Sequence, residues 1–291
     1  MSASSPVFRF VQVEVAWPLG PPDGRYLVRA EGDGAGPPSH VLVFATLGAP
    51  ERRRLAARRR ARDAEPEPAP VAVATGRATV IDVARPTDEG RARAWLSTAE
   101  ESDLAAGLAV LNRALHAFRI ATADPYLQPV GRGQAIAARV GFGAGEEVAD
   151  GLWSAAKELV RPEGRRRRTR LLAPQARLAA LLGARQSTLA CEELALRARL
   201  DLDHARPREA ALQLLVALDA AVAELATDPH AAELGERLGE LRAQREPVAA
   251  AAQAALSGPL SDANARAVAL ALDRVEVALR ARGAAGTSGA G

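Results

Sequence analysis

The spacing of apolar residues changes along this chain, and that change constrains its fold most. Residues 7–17, "VFRFVQVEVAW", place Val11, Val13, Val15 and Trp17 at every second position, with Gln12 and Glu14 between them. A period of two is that of a half-buried strand. "PLGPPDG" is a turn by composition, "RYLVRA" resumes the extended pattern, and "EGDGAGPPS" breaks it again. "HVLVFATL" at 40–47 is apolar on both faces, as a central strand would be. These three strands can form an antiparallel meander. "VAVATGRATVIDVARP" at 71–86 predicts one or two further strands, broken near Thr75-Gly76-Arg77, and "QAIAARV" predicts another.

Beyond these strands the period lengthens. A helix is expected from about Asp88 through Trp95 and Leu96. In the next, capped by Ser102 or Asp103, Leu104, Leu108, Leu111, Leu115 and Phe118 follow at alternating steps of four and three. That is one apolar stripe on a helix. Asp124-Pro125 ends it. A short helix is expected from Glu146 to about Val160. From Leu171 to Arg282 the pattern is helical throughout, with about six helices expected at 174–184, 188–202, 207–226, 229–243, 246–257 and 261–282. Pro207, Pro229 and Pro247 sit where first-turn prolines belong. Leu215, Leu218, Val222 and Leu225 form one stripe, and Val268, Leu272, Val275 and Leu279 another.

The fold class expected is therefore α+β. A small mixed or antiparallel sheet of four to six strands with two or three helices comes first, and an antiparallel helical array follows. Composition agrees: 48 % of residues are hydrophobic but only 3 % aromatic, which suits close-packed Ala, Leu and Val helices. The expected boundaries are an α+β domain at 1–160, carrying an exposed insertion at 51–70, an arginine-rich linker at 161–170, a helical domain at 171–282 and a disordered tail at 283–291.

Charge is unevenly placed. Residues 51–62 carry seven Arg against one Glu and residues 161–170 six Arg against one Glu, so the rest of the chain is acidic although the whole is +3. Arg52, Arg53, Arg54, Arg58, Arg59 and Arg60, with Arg165, Arg166, Arg167 and Arg168, are candidate contacts for a polyanion or an acidic partner. Lys157 is the only lysine, a bias expected of a GC-rich genome, and it weakens the case for phosphate recognition by these runs. No aromatic interleaves the first cluster, so base stacking is not offered there, and the acidic "DAEPEPAP" that follows can shield it.

The sharpest local signal is "AIAARVGFGAGEEVADGLW". A strand, a glycine turn at Gly141, Gly143 and Gly145 and a helix would let backbone approach a ligand at a helix N-terminus. Glu146 and Glu147 complement the dipole of that helix but repel phosphate. The stretch resembles the first motif of S-adenosylmethionine-dependent methyltransferases, and that resemblance implies a cofactor contact at these glycines. A second candidate is polar: Asn112 and His116 lie four apart with Arg119 beside them, an acid–base group with an anion holder or a plain polar stripe.

His40, His116, His204 and His230 fall in different elements with no ligand spacing among them or to Cys191, so no metal site and no cofactor are expected. Cys191 is the only cysteine, which excludes an intrachain disulfide. No secretory leader and no apolar run of the length of a membrane span is visible, so a cytoplasmic protein is expected. "EELALRARLDLDHARPREAALQLLVALDAA" resembles one tetratricopeptide unit, but no second copy follows at a spacing of about 34 residues. The function expected is non-catalytic: a protein-interaction or scaffold module using the helical array. Alternatives are nucleic-acid binding through the arginine clusters, and an enzyme or nucleotide-binding protein with its site at the glycine turn.

Overall fold

The computed structural model describes residues 6–30, 36–48, 74–159, 174–184 and 186–288. The chain divides into two compact units, Met1–Arg161 and Pro162–Gly291. The expected α+β class is what the chain adopts.

The first unit is built on a six-stranded antiparallel sheet in the order β2-β3-β4-β1-β5-β6. Its strands are β1 (Val7–Val15), β2 (Gly24–Val28), β3 (His40–Leu47), β4 (Thr75–Thr87), β5 (Ala137–Gly143) and β6 (Ala155–Glu158). The period-two pattern of β1 does what it predicts. Val11, Val13 and Val15 face the leucine stripe of α2 (Glu101–Thr122), where Leu104, Leu111 and Leu115 are buried with Leu42, Phe44 and Val80. Fully burying each such side chain contributes roughly 1.5–3 kcal/mol. The helix α1 (Glu89–Thr98), capped by the Asp88 side chain on the Arg91 N–H, closes on Val7 and Phe142 beside it.

One close approach sets how α2 lies on the sheet. A Cβ built on Gly107 would fall 2.5 Å from Cβ of Val11, so only glycine lets the helix come down to β1 there.

β4 begins at Thr75, where the break near Thr75-Gly76-Arg77 is expected, and the stretch at 71–73 lies outside the described residues; Gly76 admits the Trp17 carbonyl, 2.4 Å from where a Cβ would stand. One expectation about this unit is corrected. The helix expected over 146–160 does not form. Gly145 and Gly151 take φ of +128° and +91° and bound a 3₁₀ segment, Glu146–Asp150, after which β6 pairs with β5. The opposite sheet face packs Phe10, Val41 and Ile81 under Val148 of this segment and Trp153, which stacks on Phe10 at 5.6 Å.

The second unit holds α3 (Pro174–Leu182), α4 (Ala190–Asp203), α5 (Pro207–Ala226), α6 (Gly235–Ser257) and α7 (Asp262–Ser288). Side-chain pairs fix their directions. Glu224 reaches the Cys191 N–H while Gln213 reaches Asp201, so α5 runs antiparallel to α4. Arg208 meets the Ala255 carbonyl and Asp219 meets Arg245, so α6 runs antiparallel to α5. Glu192 pairs with Arg282 and Arg199 with Asp273, so α7 returns beside α4 and closes a four-helix bundle. Its core is Ala and Leu with Val248, Val268, Val275 and Cys191, and no aromatic at all. All ten aromatic residues of the chain lie at or before Trp153.

Here too the sequence reading needs correction. The helices expected at 229–243 and 246–257 are a single α6 running through Pro247. Proline removes one backbone bond inside a helix. Pro247 and Ala243, four residues back, are both exposed, so water can take the freed carbonyl, and Val248 still reaches the core. The last helix also continues to Ser288, past Arg282 where its pattern ends in the sequence. Among the described residues no helix is long and apolar enough to cross a membrane.

Candidate functional site

A cleft of about 160 Å³ opens on the helix-bearing face of the sheet, between β1, α1 and the first turns of α2. Strand register assembles it. Asp82 of β4 stands opposite Arg9 of β1 and, on its other side, opposite His40 of β3. Three polar side chains thus share one rung of that face. Immediately after Asp82 the pairing slips, so that Val7 stands opposite Thr87. The slack is taken up by Val83 and Ala84, whose N–H groups both donate to the Ser39 carbonyl, while Ala84 N–H also reaches Asp82 Oδ1 at 3.1 Å. Irregular pairing of this kind re-aims side chains; here it brings Arg85 to the lining of the cleft.

Helices supply the opposite wall. The indole N–H of Trp95 donates to Asp103 Oδ1 at 2.9 Å, and Asp103 Oδ2 accepts the Glu100 backbone N–H at 2.9 Å. The N-terminal cap of α2 therefore also holds the Trp95 ring. Arg9 lies over that ring, its guanidinium carbon 4.7 Å from the centroid. Arg9 Nε is buried with no hydrogen-bond partner among the described residues, and neither Arg9 nor Arg85 makes an ion pair there. Burial pushes the His40 imidazole below its ordinary value. Asp82 opposes that shift, while Arg113 and Arg85 add to it. His40 Nδ1 lies 3.0 Å from Ser39 Oγ.

The opposite face holds a second polar group. Gln12 and Thr79 are fully buried, the Gln12 amide donating to Thr79 Oγ1 at 3.0 Å and accepting from Arg139 at 2.9 Å. Arg77 and Arg139 each hold Glu14 at about 3 Å. Burial raises the Glu14 pKa, but the two guanidiniums outweigh it and keep the carboxyl below its usual range. Each member has its partners within the network, the arrangement expected of a structural core.

The residues singled out from sequence fall elsewhere. Gly141 and Gly143 are in β5, not in a turn. The room they leave is filled by the protein itself: a Cβ on Gly141 would meet the Ala155 carbonyl and the Phe10 ring, and one on Gly143 would meet Val148. Gly145 opens the five-residue 3₁₀ segment, so no α-helix N-terminus follows. Asn112 is buried and uses both amide atoms on Val130, donating to its carbonyl at 2.9 Å and accepting its N–H at 2.7 Å. That clamp ties α2 to the segment before β5. His116 and Arg119 lie half-buried one and two turns further along α2. Arg52, Arg53, Arg54, Arg58, Arg59 and Arg60, and Arg165, Arg166, Arg167 and Arg168, lie outside the described residues.

In the helical unit the polar clusters fasten helices. Arg282 bridges Asp228 at 2.6 Å and Glu192 at 3.4 Å, and Arg177 also pairs with Glu192. Glu224 caps α4 through the N–H groups of Ala190 and Cys191, both at 3.0 Å. Among the described residues no group of three or more His, Cys, Asp or Glu could hold a metal ion.

Arg9 and Asp82 left a signal in the sequence. Arg9 has the parity of Val11, Val13 and Val15, and Asp82 has that of Val80 and Ala78. A charged residue at an apolar position of a strand departs from the pattern and marks a site or a buried pair. Their meeting depends on the register of three strands, which no local pattern fixes.

Fold and site define an α+β protein with a six-stranded antiparallel sheet carrying a polar cleft, and a separate four-helix bundle unit. No family model, no curated protein and no solved structure matches this chain.

Proposed function

We propose that this is a non-catalytic binding protein of the cytoplasm, and that its contact with a partner protein is anchored in the Arg9–Trp95 cleft by an anionic group. One observation carries the reading: Arg9 lines the cleft, held against Trp95, with no carboxylate in ion-pair range among the described residues. A guanidinium without an ion pair at a surface cleft is a strong donor site for a ligand anion.

The helical unit offers less than its sequence suggests. Its helices close on one another, and its exposed apolar side chains are Leu196, Leu256 and Leu270 on separate helices and the pairs Leu178/Leu182 on α3 and Leu212/Val216 on α5. Exposures of this size are ordinary. The nucleic-acid alternative rests on arginine clusters outside the described residues.

The test follows the Trp95 indole N–H by NMR in the full chain, assigned with Trp95→Phe. Acetate, inorganic phosphate and N-acetyl-glutamate amide are titrated separately. A saturable shift with any one of them, absent in Arg9→Gln, is expected. No shift with all three overturns the reading.

A further inference from the structure

We propose that the group taken by this cleft is the carboxylate of an aspartate or glutamate side chain on a partner peptide. This rests on the binding reading above and narrows it to one ligand chemistry.

Charge is the first argument. Two guanidiniums, Arg9 and Arg85, and two carboxylates, Asp82 and Asp103, line the cleft. Asp103 is already engaged through both oxygens, by Trp95 and by the Glu100 N–H. Asp82 has one oxygen on the Ala84 N–H and stands on the same rung as Arg9. Two cations thus stand with two anions, and neither guanidinium is in ion-pair range of a carboxylate among the described residues, so both are open to one further negative charge while Asp82 and Asp103 disfavour a second. A phosphate dianion would bring its second charge against Asp82 and Asp103, which repel it.

Size and shape are the second. About 160 Å³ is below the roughly 300–1,000 Å³ that encloses a drug-sized ligand, so the cleft encloses one small group rather than a whole nucleotide or sugar phosphate. A side chain does. Val11, Val80 and Ala106 give the apolar surface that methylenes need, and the planar guanidinium of Arg9 matches a carboxylate fork.

Preorganisation is the third. Asp103 fixes Trp95, and Trp95 supports Arg9, so little rotamer freedom remains to be lost on binding. A free dicarboxylate would carry a second anion past the two arginines toward Asp82. A carboxylate presented by a neutral peptide backbone does not.

The experiment extends the same titration in the full chain. N-acetyl-glutamate amide is compared with its neutral isostere N-acetyl-glutamine amide, with succinate and with inorganic phosphate. The expected result is a saturable shift of the Trp95 indole with the glutamate compound and none with the glutamine compound. Affinity should fall roughly tenfold or more in Arg9→Gln, the scale of one charge-assisted hydrogen bond. Arg85→Gln, at an exposed position, should weaken it in the same direction without touching the fold. An equal shift with the glutamine compound overturns the proposal. Tighter binding of phosphate overturns the carboxylate assignment while the anion-binding reading stands. Tighter binding of succinate makes the ligand a free acid and overturns the peptide source. Silence from all four compounds removes both readings.

Discussion

Asp103 serves two helices at once: one carboxylate oxygen holds the Trp95 indole of α1, and the other caps α2 through the Glu100 N–H. Replacing Asp103 with Ala removes both bonds and frees the ring on which Arg9 lies. The expected loss is about 1–3 kcal/mol in urea unfolding, the sum of a helix cap and a part-buried hydrogen bond. Tryptophan emission should shift to the red in the folded state. An Asp103→Ala protein with unchanged emission and midpoint would show that the cap does not position Trp95.

Gly107 gives a prediction in which two effects have opposite signs. Alanine is favoured over glycine in a helix interior by about 1 kcal/mol. Against it, the new methyl would sit 2.5 Å from Cβ of Val11, and that neighbour is the backbone-proximal atom of a strand residue rather than a mobile tip. Overpacking of this kind costs typically 1–3 kcal/mol. Gly107→Ala should therefore lower the melting temperature. A rise would mean that α2 lifts freely from β1.

Acid should weaken the sheet unit in two separate windows. The folded pKa of His40 lies below its ordinary 6.5, so the folded state resists protonation and stability is full above 6.5 and lost as pH falls from there through the folded value. Glu14 is held below its ordinary 4.5, so its contribution is present above 4.5 and disappears as pH falls through its folded value. Urea midpoints followed by tryptophan emission across this range should fall in two steps. His40→Gln should flatten the upper step and Glu14→Gln the lower one. A single step removed by neither substitution would contradict these assignments.

Cys191 reports on the bundle. Its thiol is fully buried in the α4–α7 core, and burial pushes its pKa up, reinforced by the neighbouring Glu224 and Glu192 carboxylates. A thiolate-seeking reagent at neutral pH should leave it unmodified in the native protein and react as denaturant opens the helices. Leu218→Ala, a deletion at a fully buried position that costs about 2–5 kcal/mol, should bring that reaction to lower denaturant. Rapid labelling of the native protein would show that α4 is not packed as described.

How far the sequence carries the fold depends on whether the information is local. The alternation in β1 and the leucine stripe of α2 are local, and both elements stand where their periods place them. β6 is not local. "AAKE" is helix-forming by composition, and it is a strand because Phe142, Gly141, Val140 and Arg139 of β5 offer it an edge. Pro247 misleads for a related reason, since an exposed helix face lets water replace the bond that proline removes. The glycines of β5 looked like a ligand cradle because glycine permits close approach, whichever atom does the approaching; Phe10, Ala155 and Val148 do so here. The parity of Arg9 and Asp82 was legible, but the rung they share with His40 required strand pairing.

The aromatic-free core of the bundle has an optical consequence. Near-ultraviolet absorbance and tryptophan emission arise wholly from residues at or before Trp153, whereas α3 to α7 contribute most of the helical signal in the far ultraviolet. One sample thus yields two melting curves, one for each unit, with no label added. A fragment carrying only the helical unit would pass an absorbance detector set for aromatic side chains unseen.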